Sequence, residues 1–266
     1  MTTDRFALAD ELDRRVVAAG STAATSIDGG VVYRNERLPA IRYLNIVALP
    51  APLGPAVTAQ ALIALADRWL DGVPGRALRI TDEASAERVA PGLQAAGWER
   101  RRTALMVRAG VGAPPLPRPD PRAREVGEPE HTALMRAVFA ETGYGPEAPA
   151  DLPELLVAAQ VAQQAGTDCR RFGAGEGDRL QSMCELFLDP DVHGTAMAMV
   201  EQVATLASHR ERGLAKAVTV AAMSAAIAWG AELIMVPADR DDWPQIIYAG
   251  LGCETVGTVT SFFRAA

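Results

Sequence analysis

Val200-Glu-Gln-Val-Ala-Thr-Leu-Ala-Ser-His-Arg-Glu-Arg-Gly-Leu-Ala-Lys216 is the stretch on which the reading of the whole chain turns. It opens as an extended apolar run, from Met199 through Val203 and Ala204, with Glu201 and Gln202 set into it. It then crosses a short polar turn, Ser208 to Arg212, and enters a long alanine-rich helix. Strand, turn and helix start in that order supply unpaired backbone N–H groups and the positive end of a helix dipole, which suits a phosphate or pyrophosphate. Gly213 admits a ligand to the backbone with no Cβ in the way. Arg210 and Arg212 add guanidinium forks that match phosphate oxygens. A plain helix start with surface arginines is the competing reading of these residues taken alone.

Downstream, the helix is expected from Gly213 to Trp229, burying Leu214, Ala217, Val218, Ala221, Ala225 and Ala228 at spacings of three and four. A strand follows at Glu232 to Ala238. Then comes Asp239-Arg-Asp-Asp-Trp-Pro-Gln-Ile-Ile-Tyr248-Ala-Gly-Leu-Gly-Cys253, a short helix carrying a tyrosine and ending in a Leu-Gly turn.

These two segments together resemble the GNAT superfamily of N-acetyltransferases. Arg210-Glu-Arg-Gly-Leu-Ala215 matches the family's pyrophosphate loop, Gln/Arg-x-x-Gly-x-Gly/Ala, and the tyrosine segment matches its second signature. The resemblance covers roughly residues 120 to 266. It implies an α/β fold, a mixed, mostly antiparallel twisted sheet with flanking helices. It also implies acetyl-CoA as co-substrate and direct attack of an amine on it in a ternary complex. Carried over position by position, it implies that Arg210, Glu211, Arg212, Gly213, Leu214, Ala215 and Lys216 hold the pyrophosphate. Val203, Ala204 and Thr205 would align the pantetheine and place a backbone N–H on the thioester carbonyl, where an oxyanion develops. Tyr248 matches the tyrosine that protonates the departing thiolate; a phenol of pKa ~10 carries a transferable proton at neutral pH. Its competing role is aromatic packing. Asp241, seven residues before Tyr248, stands where the family often has asparagine; helix capping is the expected role, with Trp243 packed against the fold. Cys253 replaces a usual aromatic.

Glu201 is the best carboxylate for a general base, with a hydrogen-bonded strand glutamate as the equal alternative and water chains as a third route. His209 reads as a solvated turn residue. Gly173 to Asp178 reads as a hairpin turn between strands at Cys169 to Phe172 and Gln181 to Leu188, because it precedes no helix.

The first 108 residues share the grammar of the second half. Gly97-Trp-Glu-Arg-Arg-Arg-Thr-Ala-Leu-Met-Val-Arg108 parallels Gly252-Cys-Glu-Thr-Val-Gly-Thr-Val-Thr-Ser-Phe-Phe-Arg264, and each is preceded by strand, helix, strand, helix. Two tandem copies of one unit follow from that: a degenerate copy at 1–108, a Pro/Gly-rich linker at 109–121 and an acetyl-CoA-binding copy at 122–266. Elements expected in the first copy are a helix at 4–19, strands at 31–34, 40–49 and 77–81, and helices at 57–70 and 84–96. Where the pyrophosphate turn belongs, it has Leu49-Pro-Ala-Pro-Leu-Gly-Pro55, whose prolines remove N–H donors. Helices at about 129–141 and 152–164 open the second copy, with residues 141–151 as a variable acceptor loop.

The chain has 266 residues, 49% hydrophobic and 22% charged, with net charge -7, which argues against nucleic-acid binding. No run approaches ~18 apolar residues, so no membrane span is expected, and the N-terminus has no apolar core of signal-peptide type. Three unpaired cysteines and three scattered histidines argue against a disulfide framework or metal site and fit the cytoplasm. The expected partner is a small-molecule or peptide amine, with the protein a monomer or homodimer. The alternative is a non-catalytic acyl-CoA-binding pseudo-acetyltransferase acting as a sensor or interaction module.

Overall fold

The computed structural model describes residues 4–142, 149–177 and 179–265. Its elements, in chain order, are α1 (Arg5–Ala19), β1 (Ala23–Ile27), β2 (Gly30–Arg34), a 3-10 turn (Arg42–Leu44), β3 (Ile46–Leu49), α2 (Ala59–Trp69), β4 (Arg76–Ile80), α3 (Glu83–Ala95) and β5 (Glu99–Ala109). The second half adds β6 (Ala123–Glu125), α4 (Glu128–Glu141), α5 (Leu152–Ala165), β7 (Asp168–Glu176), β8 (Arg179–Val192) and β9 (Thr195–Thr205). It ends with a 3-10 turn (Ala207–His209), α6 (Leu214–Trp229), β10 (Leu233–Asp239), α7 (Pro244–Ala249) and β11 (Glu254–Arg264). Local chemistry starts the helices. The Asp4 carboxylate accepts from the N–H groups of Phe6 and Ala7, Thr58 from Ala61, and Asp82 from Ser85, each satisfying a donor the helix itself leaves free.

All the strands join one sheet, in the order β1-β2-β3-β4-β11-β5-β10-β9-β8-β7-β6. The pairs β3–β4 and β9–β10 are parallel and the rest antiparallel. The expected mixed, mostly antiparallel sheet is therefore present. Its order reads alike from β1 and from β7: a hairpin, a third antiparallel strand, then a parallel strand reached through a helix, α2 or α6. At the centre, the last strands change sides. β11 lies against β4, with Thr260 opposite Ile80, and β5 lies against β10, with Met106 opposite Val236. β5 and β11 pair with each other across the middle, Thr103 opposite Val259.

Apolar side chains pack on both faces. α6 covers one face of β7 to β10, with Leu214, Val218, Met223 and Ala226 against Leu186, Ala198, Val200 and Ile234. α2 and α3 cover β3, β4 and Phe262 of β11. α1 crosses the opposite face, where Leu8, Leu12 and Val16 meet Leu105, Val107, Phe187, Met199 and Met235. A helix of the first half thus roofs strands of the second.

Several expectations need correction. Residues 40–49 are not one strand: a 3-10 turn occupies 42–44, and the Asn45 side chain ties it by donating to Leu38 and Ile41 carbonyls at 2.9 Å each. β1 (Ala23–Ile27) adds a strand with no sequence signal, since its residues are nearly all exposed and show no apolar alternation. The turn at 173–178 is shorter than expected. Gly173 and Gly175 lie in β7, where a Cβ would strike Leu180 or the Arg179 carbonyl, so glycine here serves close strand packing and not the turn. In α6 the buried side runs through Ala222, Met223 and Ala226, while Ala228 is exposed. Trp243 does not pack inward; it is 62% exposed. Asp241 caps no helix: its carboxylate is engaged by the Arg102 guanidinium, and α7 has no side-chain cap. Of the expected acceptor loop, residues 143–148 lie outside the described residues.

The strand exchange predicts that neither sequence half is stable alone, since each would expose two unpaired sheet edges. Residues 1–121 and 122–266 expressed separately should each lack cooperative unfolding by circular dichroism. Expressed together, they should elute as a 1:1 complex on size exclusion.

Candidate active site

β9 and β10 begin as a paired parallel ladder, Leu233 opposite Met197, Ile234 opposite Ala198 and Met235 opposite Met199. Pairing stops there, although β9 continues to Thr205 and β10 to Asp239. The strands part, and the β10-facing edge of Val200 to Thr205 has no strand partner. A bulge accompanies the parting. Glu185 opposes Glu201 but Met183 opposes Ala204, so β9 carries one extra residue, and Gln202 takes φ 51° in the left-handed region. The far edge of β9 remains pinned to β8, where the Ser182 hydroxyl donates to the Ala204 carbonyl at 3.0 Å and the Thr205 hydroxyl to Ser182 at 2.9 Å.

Beyond β9 the chain turns through 207–209 into the loop 210–213. Glu211 (φ 64°) and Gly213 (φ 76°) are both left-handed, which folds the backbone tightly before α6. Among the described residues, no backbone or side-chain acceptor takes the N–H groups of Glu211, Arg212 or Gly213, and the first-turn N–H groups of α6 have no partner within the helix. A Cβ on Gly213 would meet only Arg122 Nη2, 3.9 Å away, so the approach to these donors is open. Arg122 donates to the Arg212 carbonyl at 3.4 Å, Arg212 bonds Glu176 at 3.1 Å, and Arg210 Nε donates to the Thr205 carbonyl at 3.4 Å. Lys216, the single lysine of the chain, is exposed on the first turn of α6. Loop and helix start together form a cationic, N–H-rich end fit for a pyrophosphate. His209 Nδ1 meets the Ser208 hydroxyl at 2.9 Å, a local turn contact.

The corresponding place in the first half is built differently. β3 and β4 stay paired to Leu49 opposite Ile80, with the Thr81 N–H continuing to the Leu49 carbonyl. The loop after β3 turns its carbonyls inward, and the Arg88 guanidinium donates to those of Leu53, Gly54 and Val57. It offers no N–H cradle.

Tyr248 is buried on the α6 face, in one cluster with Leu214, Val218, Val200, Cys184 and Cys253. Burial raises its phenol above the ordinary value, with the two thiols adding to the effect, so it holds its proton at neutral pH. Glu201 lies on the other face, in step with Met197 and Met199 beneath α1. It is half-buried. Burial and the Asp13 carboxylate push it up to about 8. The two groups belong to opposite faces of the sheet. Asp241 stands at the end of β10, occupied by Arg102.

Sequence reasoning missed the residue directly across from Glu201. Glu185 is fully buried, accepts one hydrogen bond, from Gln164 Nε2 at 2.6 Å, and leaves Oε2 without a partner among the described residues. Burial and the Glu201 charge push it up to about 8. One hydrogen bond to a charged group returns about 1.5–3 kcal/mol, against several kcal/mol for taking a carboxylate out of water, so Glu185 keeps its proton at neutral pH. The available signal was a lone acid within Met183-Cys-Glu-Leu-Phe-Leu188. Around the pair stand Tyr43, whose hydroxyl accepts from Gln160 Nε2 at 3.3 Å, and Arg171, which donates to Gln164 at 2.7 Å. Burial raises the Tyr43 phenol, with the Glu201 and Glu185 charges next in effect.

Because the Glu185 value is raised, the folded state binds protons more strongly than the unfolded one. Its contribution to stability is full below about pH 4.5 and is lost as pH rises through about 8. Denaturant titrations from pH 5 to 9 should therefore show wild-type stability falling. Glu185→Gln should flatten that fall and gain on the order of 1 kcal/mol at pH 9.

No family model and no curated protein matches the sequence. Solved structures do match its fold. A functionally unknown conserved protein from Staphylococcus epidermidis has a TM-score of 0.68 at 11% identity, over 92% of this chain and 94% of that one. A GCN5-related N-acetyltransferase from Kribbella flavida has 0.63 at 17%, over 100% and 97%. A tandem GNAT protein from the clavulanic acid biosynthesis pathway has 0.50 at 14%, over 77% and 69%. With the parted parallel strands and the loop at the start of α6, these likenesses establish that the chain has the fold of the GCN5-related N-acetyltransferases.

Proposed function

We propose that the chain is a tandem acetyltransferase in which the C-terminal copy moves an acetyl group from acetyl-CoA to an amine. The carrying observation is the conjunction of the parted β9–β10 pair with the unpaired N–H groups of Glu211 to Gly213 at the start of α6. The first copy lacks both features, and its loop is closed by Arg88, which supports a structural role for it.

In this reading Arg210 to Lys216 hold the pyrophosphate by backbone N–H groups and charge, and Val203 to Thr205 run alongside the pantetheine. A β9 N–H freed by the parting would donate to the thioester oxygen as it gains negative charge. The acceptor nitrogen uses its lone pair on the thioester carbon, and the carbon–sulfur bond breaks as the new carbon–nitrogen bond completes. Glu201 takes the proton that the nitrogen must lose, which its raised value suits near neutral pH. Tyr248 gives its hydroxyl proton to the leaving sulfur and regains one from solvent. Acetyl-CoA supplies the activated acyl group, and the protein supplies position, donors and proton acceptors.

Three outcomes test the assignment. Gly213→Glu should remove acetyl-CoA binding in calorimetry, because its carboxylate repels the phosphates; its Cβ meets no neighbour closer than 3.9 Å, and its left-handed φ costs the fold only on the order of 1 kcal/mol. Tyr248→Phe should lower kcat by about 100-fold with cofactor affinity unchanged. With any accepted amine, kcat/KM should rise with pH and level off above about 8, and Glu201→Gln should remove that limb. A pseudo-acetyltransferase would bind acetyl-CoA and acetylate none of an amine panel.

A further inference from the structure

Beneath α4 and α5 the sheet carries a layer of polar side chains that the fold does not need. Glu185 of β8 and Glu201 of β9 are directly opposed and share the face under α1 and α5. Cross-strand partners hold their Cβ atoms about 4.5–5.5 Å apart. Among the described residues neither carboxylate has an arginine, lysine or histidine in ion-pair range. The basic side chain whose charge acts on Glu185, Arg171, is spent on Gln164 and on Glu128, 3.6 Å away.

On the α5 and β8 side of the layer the unmet capacity is on oxygens, while His131 and Thr132 of α4 leave ring nitrogens and a hydroxyl unpartnered nearby. Once Glu185 ionises, toward pH 8 and above, its Oε2 is like Gln160 Oε1 a buried acceptor with no donor, on residues respectively 0% and 3% exposed. Gln160 reaches the pair through Tyr43, which it contacts and which both carboxylates influence. Glu201 adds further acceptor oxygens and is the member open to solvent. An assembly of buried acceptors without donors is costly in an empty protein. It is complementary to a compact group with three N–H donors and a positive charge.

We propose that Glu185, Glu201 and Gln160 form an ammonium-binding subsite, whose ligand is an unbranched aliphatic primary ammonium with no anionic group beside the nitrogen. This rests on the transferase reading only for its purpose; binding itself requires no cofactor. The subsite stands at the bulge where β9 parts from β10, so an ammonium held there is beside the strand assigned to the thioester. The groups that bear on it come from both halves of the chain. Asp13 of α1 and Tyr43 of the 3-10 turn belong to the first half, and Cys169, Arg171, Gln160 and Gln164 to the second. That gives the first half a part in choosing the acceptor. An α-amino acid would bring its carboxylate against Glu185, Glu201 and Asp13 and is excluded by repulsion. The titratable groups facing the pair are Asp13, Arg171, Tyr43 and Cys169; burial keeps the phenol and the thiol protonated, and the single cation is committed elsewhere. Ligand binding therefore tightens as the carboxyls lose their protons, toward pH 8 and above.

The test is calorimetric titration of n-pentylammonium chloride into the full chain at pH 8.5 without cofactor, with 1-pentanol and glycine as comparisons and acetyl-CoA titrated separately. Pentylammonium should bind once per chain and the comparisons should not. Glu185→Gln and Glu201→Gln, each verified as folded by circular dichroism, should weaken it at least tenfold. If Glu185→Gln does not fold, Glu201→Gln carries the comparison. Equal binding of 1-pentanol, or pentylammonium affinity within twofold of wild type in the folded variants, would overturn the subsite, as would no pentylammonium binding. Acetyl-CoA binding without pentylammonium binding discards the subsite and leaves the transferase reading. Pentylammonium binding without acetyl-CoA binding does the reverse.

Discussion

Backbone hydrogen bonding between β5 and β11 is the constraint on which the rest of this structure depends. A strand edge buried inside a sheet must be paired, because an unpaired N–H or C=O away from water costs about as much as a lost hydrogen bond. Each half gives its last strand to the other: β11 completes the sheet beside β4, and β5 completes it beside β10. Register then fixes everything that packs across the seam. With Thr103 opposite Val259 and Met106 opposite both Val236 and Thr255, the apolar side chains of three strands fall into line under α1. The helix that opens the chain is thereby committed to the face of the sheet that carries Glu201.

The site is made by withholding the same kind of bond. β9 and β10 pair for three residues and then separate, which leaves one edge of β9 without a strand partner over Val200 to Thr205. The extra residue at Gln202 and the two left-handed residues Glu211 and Gly213 accommodate the change of direction. Positive φ costs little at glycine but on the order of 1 kcal/mol at Gln202 and Glu211. Local strain and unpaired donors thus stand together next to a helix start, the features on which the proposed cofactor contacts rest. In the first half the equivalent strands stay paired and the equivalent loop is satisfied by Arg88, so nothing there is left for a ligand to complete.

The carboxylates add a second departure from ordinary packing. A protein that only needed a core under α4 and α5 would gain by placing apolar residues at Glu185 and Gln160, since buried acceptors without donors are a net cost. Sites that violate packing rules are where function concentrates. His131 sits in the same region with both ring nitrogens unpartnered among the described residues, and burial, with the Arg171 charge next, lowers it to about 4, so it remains neutral. The polar layer thus carries negative or neutral groups on β8 and β9 and holds its one arginine at the rim on β7.

Residue pattern alone determined much of this protein. The strand–turn–helix of Val200 to Lys216, the helix spacing of α2, α4 and α5, and the parallel wording around Gly97 and Gly252 are local signals, each legible within about twenty residues because helix periodicity, glycine punctuation and capping act over that range. Tertiary structure decided the rest. The exchange of β5 and β11 depends on pairing between residues about 150 apart in sequence, to which no local period is sensitive. Trp243 faces solvent, 62% exposed, whereas the 3-10 turn at 42–44 is a local device, tied by Asn45 to the nearby Leu38 and Ile41 carbonyls, that apolar alternation does not reveal. Glu185 looked like one stray acid in an apolar strand. Its meaning arises only when the register sets it against Glu201 and when α5 and the first half close over both, since burial and proximity, which no single segment contains, set the charge state of a carboxyl group.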